Sequence, residues 1–432
     1  MPFFKTKLLF KPTAVDENYG SKNMSVIEAS VNHNFLTASE EYLMKEKGYT
    51  FIRHIGEGSY AKVFLAKFVQ EGKPEVQLAC KIINTRMAPR EFVVKFLPRE
   101  IDILSKITHP YIVHVYSIYH KAFNYLIFMR YAEMGDLLDY IVAKGELPEK
   151  VGRTWFHQLA SAIYYLHNLN IAHRDIKCEN ILITKSYNVK LADFGFARYV
   201  CDGNGRHLLS NTYCGSLAYA SPEILRGRAY FPKCSDIWSL GVVLYIMLNK
   251  CMPFRDGNVK VLYKQQLAKR WTFRAKVETT ISAAAVNMVK YLLEPDFRKR
   301  ILIKDVMKDR WFTDEGLYLS NDCNQALDLA SKYKSEMVCK KSVKGPKVWD
   351  KEEKDFTLIS KERDPITSAS VYFDPTLGSQ SLGGGSVTST TTDVDLDSKH
   401  SEPERQLSNI QITEQVEEKE TESRTSTDNK SN

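Results

Sequence analysis

The chain contains no Cys-x-x-Cys pair. Its eight cysteines stand apart at 80, 178, 201, 214, 234, 251, 323 and 339, which argues against a disulfide framework or a cysteine-built zinc site and points to a reducing, intracellular compartment, the cytoplasm. Long apolar runs are missing as well. The longest, IWSLGVVLYIML at 237–248, falls short of the roughly 20 residues needed to cross a bilayer, so it reads as a buried core helix and no membrane insertion is expected. The opening apolar run is broken by Lys5 and Lys7, and Pro2 stands where myristoylation requires glycine, so neither secretion nor a lipid anchor is expected. No G-x-x-x-x-G-K-[ST] occurs, which excludes a P-loop. Zinc-finger spacing and an aromatic-basic RNA motif are also absent, so nucleic acid is not an expected partner despite a basic net charge.

That charge is unevenly spread. Residues 391–432 carry eleven acids and five bases, whereas the whole chain is at +8, so the body is basic and the tail acidic. The 432 residues, 44% of them apolar and 11% aromatic, suffice for a large core. Residues 1–48 read as a polar extension with one short helix, because Thr37 and Glu40 match a capping box and Gly48 a helix stop. Apolar periodicity is dense over 49–312. A basic, partly helical linker is expected over 313–364, and a disordered Ser/Thr-rich acidic tail over 365–432. Within the dense region short β-rich runs come first (YTFIRHI, KVFLAKFV, LACKII, IVHVYSIY, YLIFMRY) and long helical patterns follow. Strands before helices imply an α+β fold with a small β-rich lobe and a larger helical one.

The stretch Gly56-Glu57-Gly58-Ser59-Tyr60-Ala61 fits two unrelated phosphate-binding loops. A dinucleotide turn needs a helix directly after it and an acidic residue about 20 positions on. Here Val63 and Leu65 alternate with Phe64 and Ala66 as in a strand, and Lys81 stands where the acid would be. Strand, glycine turn, strand and then a lysine strand is instead the order of a flap over ATP phosphates. Farther on come HRDIKCEN at 173–180, DFG at 193–195 and SPE at 221–223. With these motifs in this order, residues 49–312 resemble a eukaryotic protein kinase domain. The resemblance implies a two-lobed kinase fold, with a small antiparallel N-lobe carrying one key helix and a larger, mostly α-helical C-lobe.

The resemblance also implies roles. Gly56, Glu57, Gly58, Ser59, Tyr60 and Ala61 would cover the ATP phosphates and Lys81 would bind them, with Val63, Ala79 and Leu182 around the adenine and Met129 as gatekeeper. Glu100 would fix Lys81. Glu91 is its rival, but Glu100 lies in the apolar pattern of Ile101, Leu104 and Ile107, whereas Glu91 follows Pro89 and Arg90 in an expected loop; Pro98 should start or bend the helix just before Glu100. Asp175 and Lys177 match the catalytic pair, and Asn180 and Asp193 the oxygen ligands of Mg²⁺, a hard cation. Lys177 is typical of serine/threonine kinases. Ser216 matches a hydroxyl contacting Asp175 and Lys177, and Glu223 with Arg300 matches a structural ion pair.

Thr212 stands where an activating phosphate is common, with Arg174 as its docking partner and an upstream kinase implied. Asp136 and Glu179 match peptide-binding acids, so protein substrates with upstream basic residues are expected. GEGSYAKV, FLPREI, KLADFGFAR, TYCGS and SDIWSLGVVLYIM together resemble the testis-specific serine/threonine kinases of the calmodulin-kinase-like group, which implies a role in sperm development. Residues 332–349 read as a solvated linker or as a calmodulin-target or autoinhibitory segment. A catalytically weak pseudokinase scaffold is the alternative function. Because Ala61 lies where the second strand resumes, Ala61→Gly should change turnover little and Gly58→Val should impair it, as steady-state kinetics on the two variants would register.

Overall fold

The computed structural model describes residues 36–202, 206–212, 214–255, 257–339 and 357–359, without the side chains of 334–339. The acidic tail, most of the N-terminal extension and the whole of 340–356 lie outside the described residues. The first lobe is built on alternation. Strands β1 (Tyr49–Glu57), β2 (Ala61–Phe68), β3 (Val76–Asn84), β4 (Val115–Lys121) and β5 (Asn124–Arg130) form an antiparallel sheet in the order β1-β2-β3-β5-β4. Successive side chains of a strand face opposite sides. Leu78, Cys80 and Ile82 of β3 therefore enter an outer cluster with Tyr49, Phe128 and Met44, which leaves Ala79, Lys81 and Ile83 on the inner face.

Helix α1 (Ala38–Glu46) covers the outer face. Its capping box forms as the sequence predicts: the Glu40 amide donates to Thr37 Oγ1 at 3.2 Å, and Glu40 Oε2 accepts from the Thr37 amide at 2.8 Å. On the inner side lies α2 (Leu97–Leu104), which buries Leu97, Ile101 and Leu104 along one stripe. A five-residue π-helical turn, Phe92–Phe96, leads into it. Pro98 explains that turn, since it has no amide to donate and its ring would clash with a carbonyl four residues back in a regular helix. Residues 90 and 91 are already helical, so the expected loop around Glu91 is corrected to a helical start.

The second lobe gathers around two long helices, α4 (Glu149–Asn168) and α6 (Pro232–Asn249), with α3 (Leu137–Lys144) and the short α5 (Pro222–Leu225) beside them. Helices α7 (Val259–Leu267), α8 (Ala275–Glu278), α9 (Ala283–Leu292), α10 (Ile303–Val306) and α11 (Arg310–Thr313) complete it. The apolar run at 237–248 is the body of α6 and almost all of that helix is buried. Among the described residues no helix is long and apolar enough to cross a membrane. Short strands β6 (Ile171–Ala172) and β9 (Arg198–Tyr199) pair antiparallel, as do β7 (Ile181–Ile183) and β8 (Val189–Leu191).

After the second lobe, α12 (Asn321–Cys339) packs along α4 through buried Ala326 and Ala330, and β10 (Thr357–Leu358) joins the first lobe's sheet beside β4. Tyr333 is half-buried against the same core. Of the stretch 332–349, which the sequence reads as a solvated linker or a calmodulin-target or autoinhibitory segment, residues 332–339 continue α12, and 340–349 lie outside the described residues.

Arg300 is almost wholly buried, and its Nη1 and Nη2 donate to Glu223 Oε1 and Oε2 at 2.7 and 2.9 Å. Ser221, where alanine is usual, is fully buried and donates to Ser235 Oγ at 3.1 Å. Its hydroxyl is thereby satisfied. Glu223→Ala should cost about 3–5 kcal/mol, because it strands a buried guanidinium; urea unfolding of the variant checks this.

Candidate active site

Lys81 projects from the inner face of β3 into the cleft between the lobes. Its Nζ donates to Glu100 Oε1 at 2.7 Å and to Asp193 Oδ1 at 3.2 Å. Three elements, β3, α2 and the turn after β8, thus meet at one ammonium. Burial by itself would lower the Lys81 pKa, but the two carboxylates outweigh it and hold the group above its ordinary value. Burial pushes Glu100 up, with Lys81 opposing. Asp193 is held below the usual carboxylate range despite its burial, because Lys81 and Lys177 both face it. Glu91 is exposed and bonds Lys95 at 3.1 Å, so of the two candidate acids Glu100 is the partner of Lys81.

The second cluster centres on Asp175. Lys177 Nζ lies 2.9 Å from Asp175 Oδ2, and Asn180 Nδ2 donates to Asp175 O and Oδ2 at 2.8 and 3.0 Å. Asp236, at the start of α6, anchors the loop: its carboxylate accepts the His173 and Arg174 amides at 3.0 and 2.8 Å and stands 2.9 Å from His167 Nε2. Arg174 at φ 66° and Asp193 at φ 58° both take left-handed backbone, a strain that concentrates where the surroundings enforce a functional geometry.

The nucleotide side of the cleft is equally ordered. Val63 and Ala79 lie in one small apolar cluster and Leu182 and Ala192 in another, with Met129 touching both. These residues line a single pocket together with Lys81, Glu100 and Asp193. The turn over it is closed by the Gly58 amide, which donates to Ala61 O at 2.7 Å. Gly58, Ser59, Tyr60 and Ala61 line an adjoining cavity that also reaches Lys81 and Asp193. Gly56 and Glu57 end β1 opposite Val63 and Lys62.

Among the described residues three oxygens of the cleft are buried without a hydrogen-bond partner, Glu100 Oε2, Asp175 Oδ1 and Asn180 Oδ1. Such orphaned acceptors call for an unseen donor or cation. Among the described residues no cluster of three or more His, Cys, Asp or Glu forms a metal cage. Mg²⁺ usually takes one or two protein oxygens and completes its shell with water and phosphate; Asn180 Oδ1, buried and unpartnered, and the Asp193 carboxylate, held below the usual range, are oxygens of the kind it takes.

The remaining candidate residues lie on the 193–223 segment, the catalytic loop and the start of α3. Among the described residues the Ser216 hydroxyl bonds neither Asp175 nor Lys177. Its neighbour Gly215 is the closer element: at φ +90°, an added Cβ there would stand 2.8 Å from Arg174 O and 3.1 Å from Asp175 Oδ1. Arg174 donates to Phe196 O at 2.7 Å and Ser210 Oγ at 3.0 Å rather than to Thr212. Thr212 is exposed, with its amide donating to Ser210 Oγ at 3.4 Å. Asp136 is buried as the N-cap of α3, accepting the Asp139 amide at 2.9 Å, while Glu179 is half-buried and accepts from the Tyr219 hydroxyl at 3.3 Å.

Sequence reasoning missed two arginines. Arg198 Nη1 donates to Ser210 Oγ at 3.5 Å, beside Arg174. Burial and then the Arg174 and Arg198 guanidiniums hold the Arg99 pKa below its ordinary value. Three cations thus surround the base of the 193–223 segment. Only Arg99, adjacent to Glu100 on α2, carried a local signal, since residues next to Glu100 share its helix.

A buried charge should leave a pH signature at α3. Burial lifts the Asp136 carboxyl to about 7, with Asp139 and Glu179 adding to the rise and the Asp139 amide opposing it. Because the folded pKa lies above the unfolded value, its contribution to stability is present below about pH 4 and lost as pH rises through about 7. Asp136→Asn keeps an N-cap and should flatten that decline, by up to about 1.4 kcal/mol per pH unit; chemical unfolding of both proteins between pH 5 and 8 measures it.

Residues 49–312 match the protein kinase domain family. The chain is 42% identical over 281 residues to mouse testis-specific serine/threonine-protein kinase 1, covering 65% of this chain and 76% of that protein. It is 40% identical over 287 residues to human testis-specific serine/threonine-protein kinase 4, covering 64% of this chain and 85% of that protein. Against mouse testis-specific serine/threonine-protein kinase 3 it is 41% identical over 275 residues, 63% of this chain and 98% of that protein.

Proposed function

The chain belongs to the protein kinase family, and from that premise we propose that it is an active serine/threonine protein kinase using ATP and Mg²⁺. The observation that carries this reading is the Lys81 ammonium held between Glu100 and Asp193 at 2.7 and 3.2 Å. Phosphoryl transfer demands positioning and charge neutralisation rather than covalent help. Asn180 and Asp193 would hold Mg²⁺, which would supply positive charge opposite the charge that spreads over the phosphate oxygens. Lys81 orients the phosphates, and the 56–61 turn covers them. Val63, Ala79 and Leu182 hold the adenine, with Met129 at the back of the pocket. Asp175 Oδ1, buried and without a partner, accepts the proton of the attacking Ser or Thr hydroxyl, while Lys177 screens the developing negative charge.

Regulation rests on the arginines. A phosphate on Thr212, added by an upstream kinase, adds about two negative charges, and Arg174, Arg198 and Arg99 supply the cations to hold it. Glu179 and Asp136 draw basic residues upstream of the acceptor. The half-buried Glu179 carries more of that preference than Asp136, which is committed to its helix. Sperm development is the proposed setting, in keeping with the testis-specific names of the relatives, and the scattered thiols suit a cytoplasmic location. The kinase domain occupies 49–312, flanked by the extension 1–48, the segment 313–364 and the tail 365–432; most of the calmodulin-target stretch 332–349 lies outside the described residues. Nothing at the site favours a pseudokinase.

The purified full chain should transfer the γ-phosphate of ATP to a serine peptide with upstream arginines, and Lys81→Met and Asp193→Ala should abolish transfer. Wild-type transfer no higher than these controls would overturn the reading. Gly215→Ala should lower kcat by about 10²-fold, since displacing the catalytic loop by a fraction of an ångström misplaces Asp175, while nucleotide affinity measured by calorimetry is retained.

A further inference from the structure

Helix α2 carries Glu100 on its inner face, and its outer end carries a second group of contacts. Asp102 Oδ2 accepts from the Tyr199 hydroxyl at 3.0 Å. Lys106, one turn later, pairs with Asp102 and lies 3.5 Å from the same hydroxyl. Its Nζ is 5.7 Å from the centroid of the Tyr199 ring and 6.0 Å from that of Tyr333. Tyr333 belongs to α12, beyond the region that matches the kinase family. A lysine between two aromatic rings is held by their quadrupoles as well as by the carboxylate.

The same downstream segment touches the first lobe at a second place. Thr357 pairs with His120 and Leu358 with Tyr119, and the Ile359 amide donates to Ile118 O at 2.8 Å. Without this segment β4 would be an open sheet edge, a row of unpaired backbone groups that invites another strand. Ile359 also packs on the apolar cluster that includes Ile118 and the inner-face residues Leu97, Ile101 and Leu104 of α2. The described parts of this downstream segment therefore meet the first lobe twice, at Lys106 just past the end of α2 and along the edge of β4.

We propose that Tyr333 and Thr357–Ile359 are positioning residues for α2, an intrachain brace that holds Glu100 at Lys81 from behind. The brace acts on the reaction only through the pair it holds, so its catalytic effect rests on the kinase reading above. Tyr333 restrains the helix end through Lys106 and Asp102, and Asp102 passes the restraint to Tyr199 at the start of the 193–223 segment. The strand at 357–359 stiffens β4 and closes the edge of the bed on which α2 lies. Loosening either contact releases the helix without touching any group in the cleft.

Hydrogen exchange on the full chain tests this without relying on catalysis. Tyr333→Ala and Ile359→Pro, the latter removing the amide that reaches Ile118, should each speed exchange over 97–106 by about tenfold, with exchange over α4 unchanged. Tyr333→Phe keeps the ring over Lys106 and should restore wild-type exchange. In phosphate-transfer assays kcat should fall with the two disruptive variants while peptide KM stays constant. Unchanged exchange over 97–106 in both variants would overturn the proposal, as would an equal acceleration over α4, which reports general loosening. A wild-type protein that transfers no phosphate would sink the kinase reading instead, and the exchange result would still decide whether the brace exists.

Discussion

One buried ammonium governs the arrangement of the cleft. Lys81 is shared between Glu100 and Asp193, and each of these charges would cost several kcal/mol to bury alone. They are tolerable together in one geometry only, with β3, α2 and the turn after β8 all in place. A shift of β3 would strand two buried carboxylates, and a shift of α2 or of the turn after β8 would strand the carboxylate that it carries. Much of the surrounding structure can be understood as preventing that shift. The inner face of the sheet aims Lys81, the apolar stripe of α2 seats Glu100, and Phe194, fully buried against the His173 ring at 4.9 Å, fixes the turn that carries Asp193.

A second anchor serves the other half of the cleft. Asp236 begins the most buried helix of the protein and spends its carboxylate on two loop amides and His167. The catalytic loop is thereby tied to the core of the second lobe rather than to the nucleotide side. Such a division suits phosphoryl transfer, in which each lobe positions one reactant and the protein contributes preorganised charge. The left-handed backbone at Arg174 and Asp193 lies on the two loops that these anchors hold, which is how the strain persists.

Much of this was legible in the residues. The order of strand, glycine turn, strand and lysine strand picked out Lys81, and the apolar spacing of Ile101 and Leu104 chose Glu100 over Glu91. Thr37 and Glu40 announced a helix that forms with both capping bonds. The misreadings have physical causes. Residues 90 and 91 were expected in a loop because they follow Pro89, yet a proline just ahead of a first helical turn is equally a helix start. The strand at 357–358 is too short to display alternation and sits among charged residues, so nothing local distinguished it from a linker.

The sequence by itself determined the chemical inventory and the order of elements, because motif spacing and apolar period are local properties written along the chain. It also established the family. Tertiary structure alone decided that Gly215 abuts Asp175, that Arg198 and Arg99 join Arg174, that Ser221 finds a buried partner in Ser235, and that a segment beyond the second lobe returns to the edge of the first. Each of these depends on residues distant in sequence coming together. Such contacts are selected by the packing of whole elements, which local periodicity does not encode.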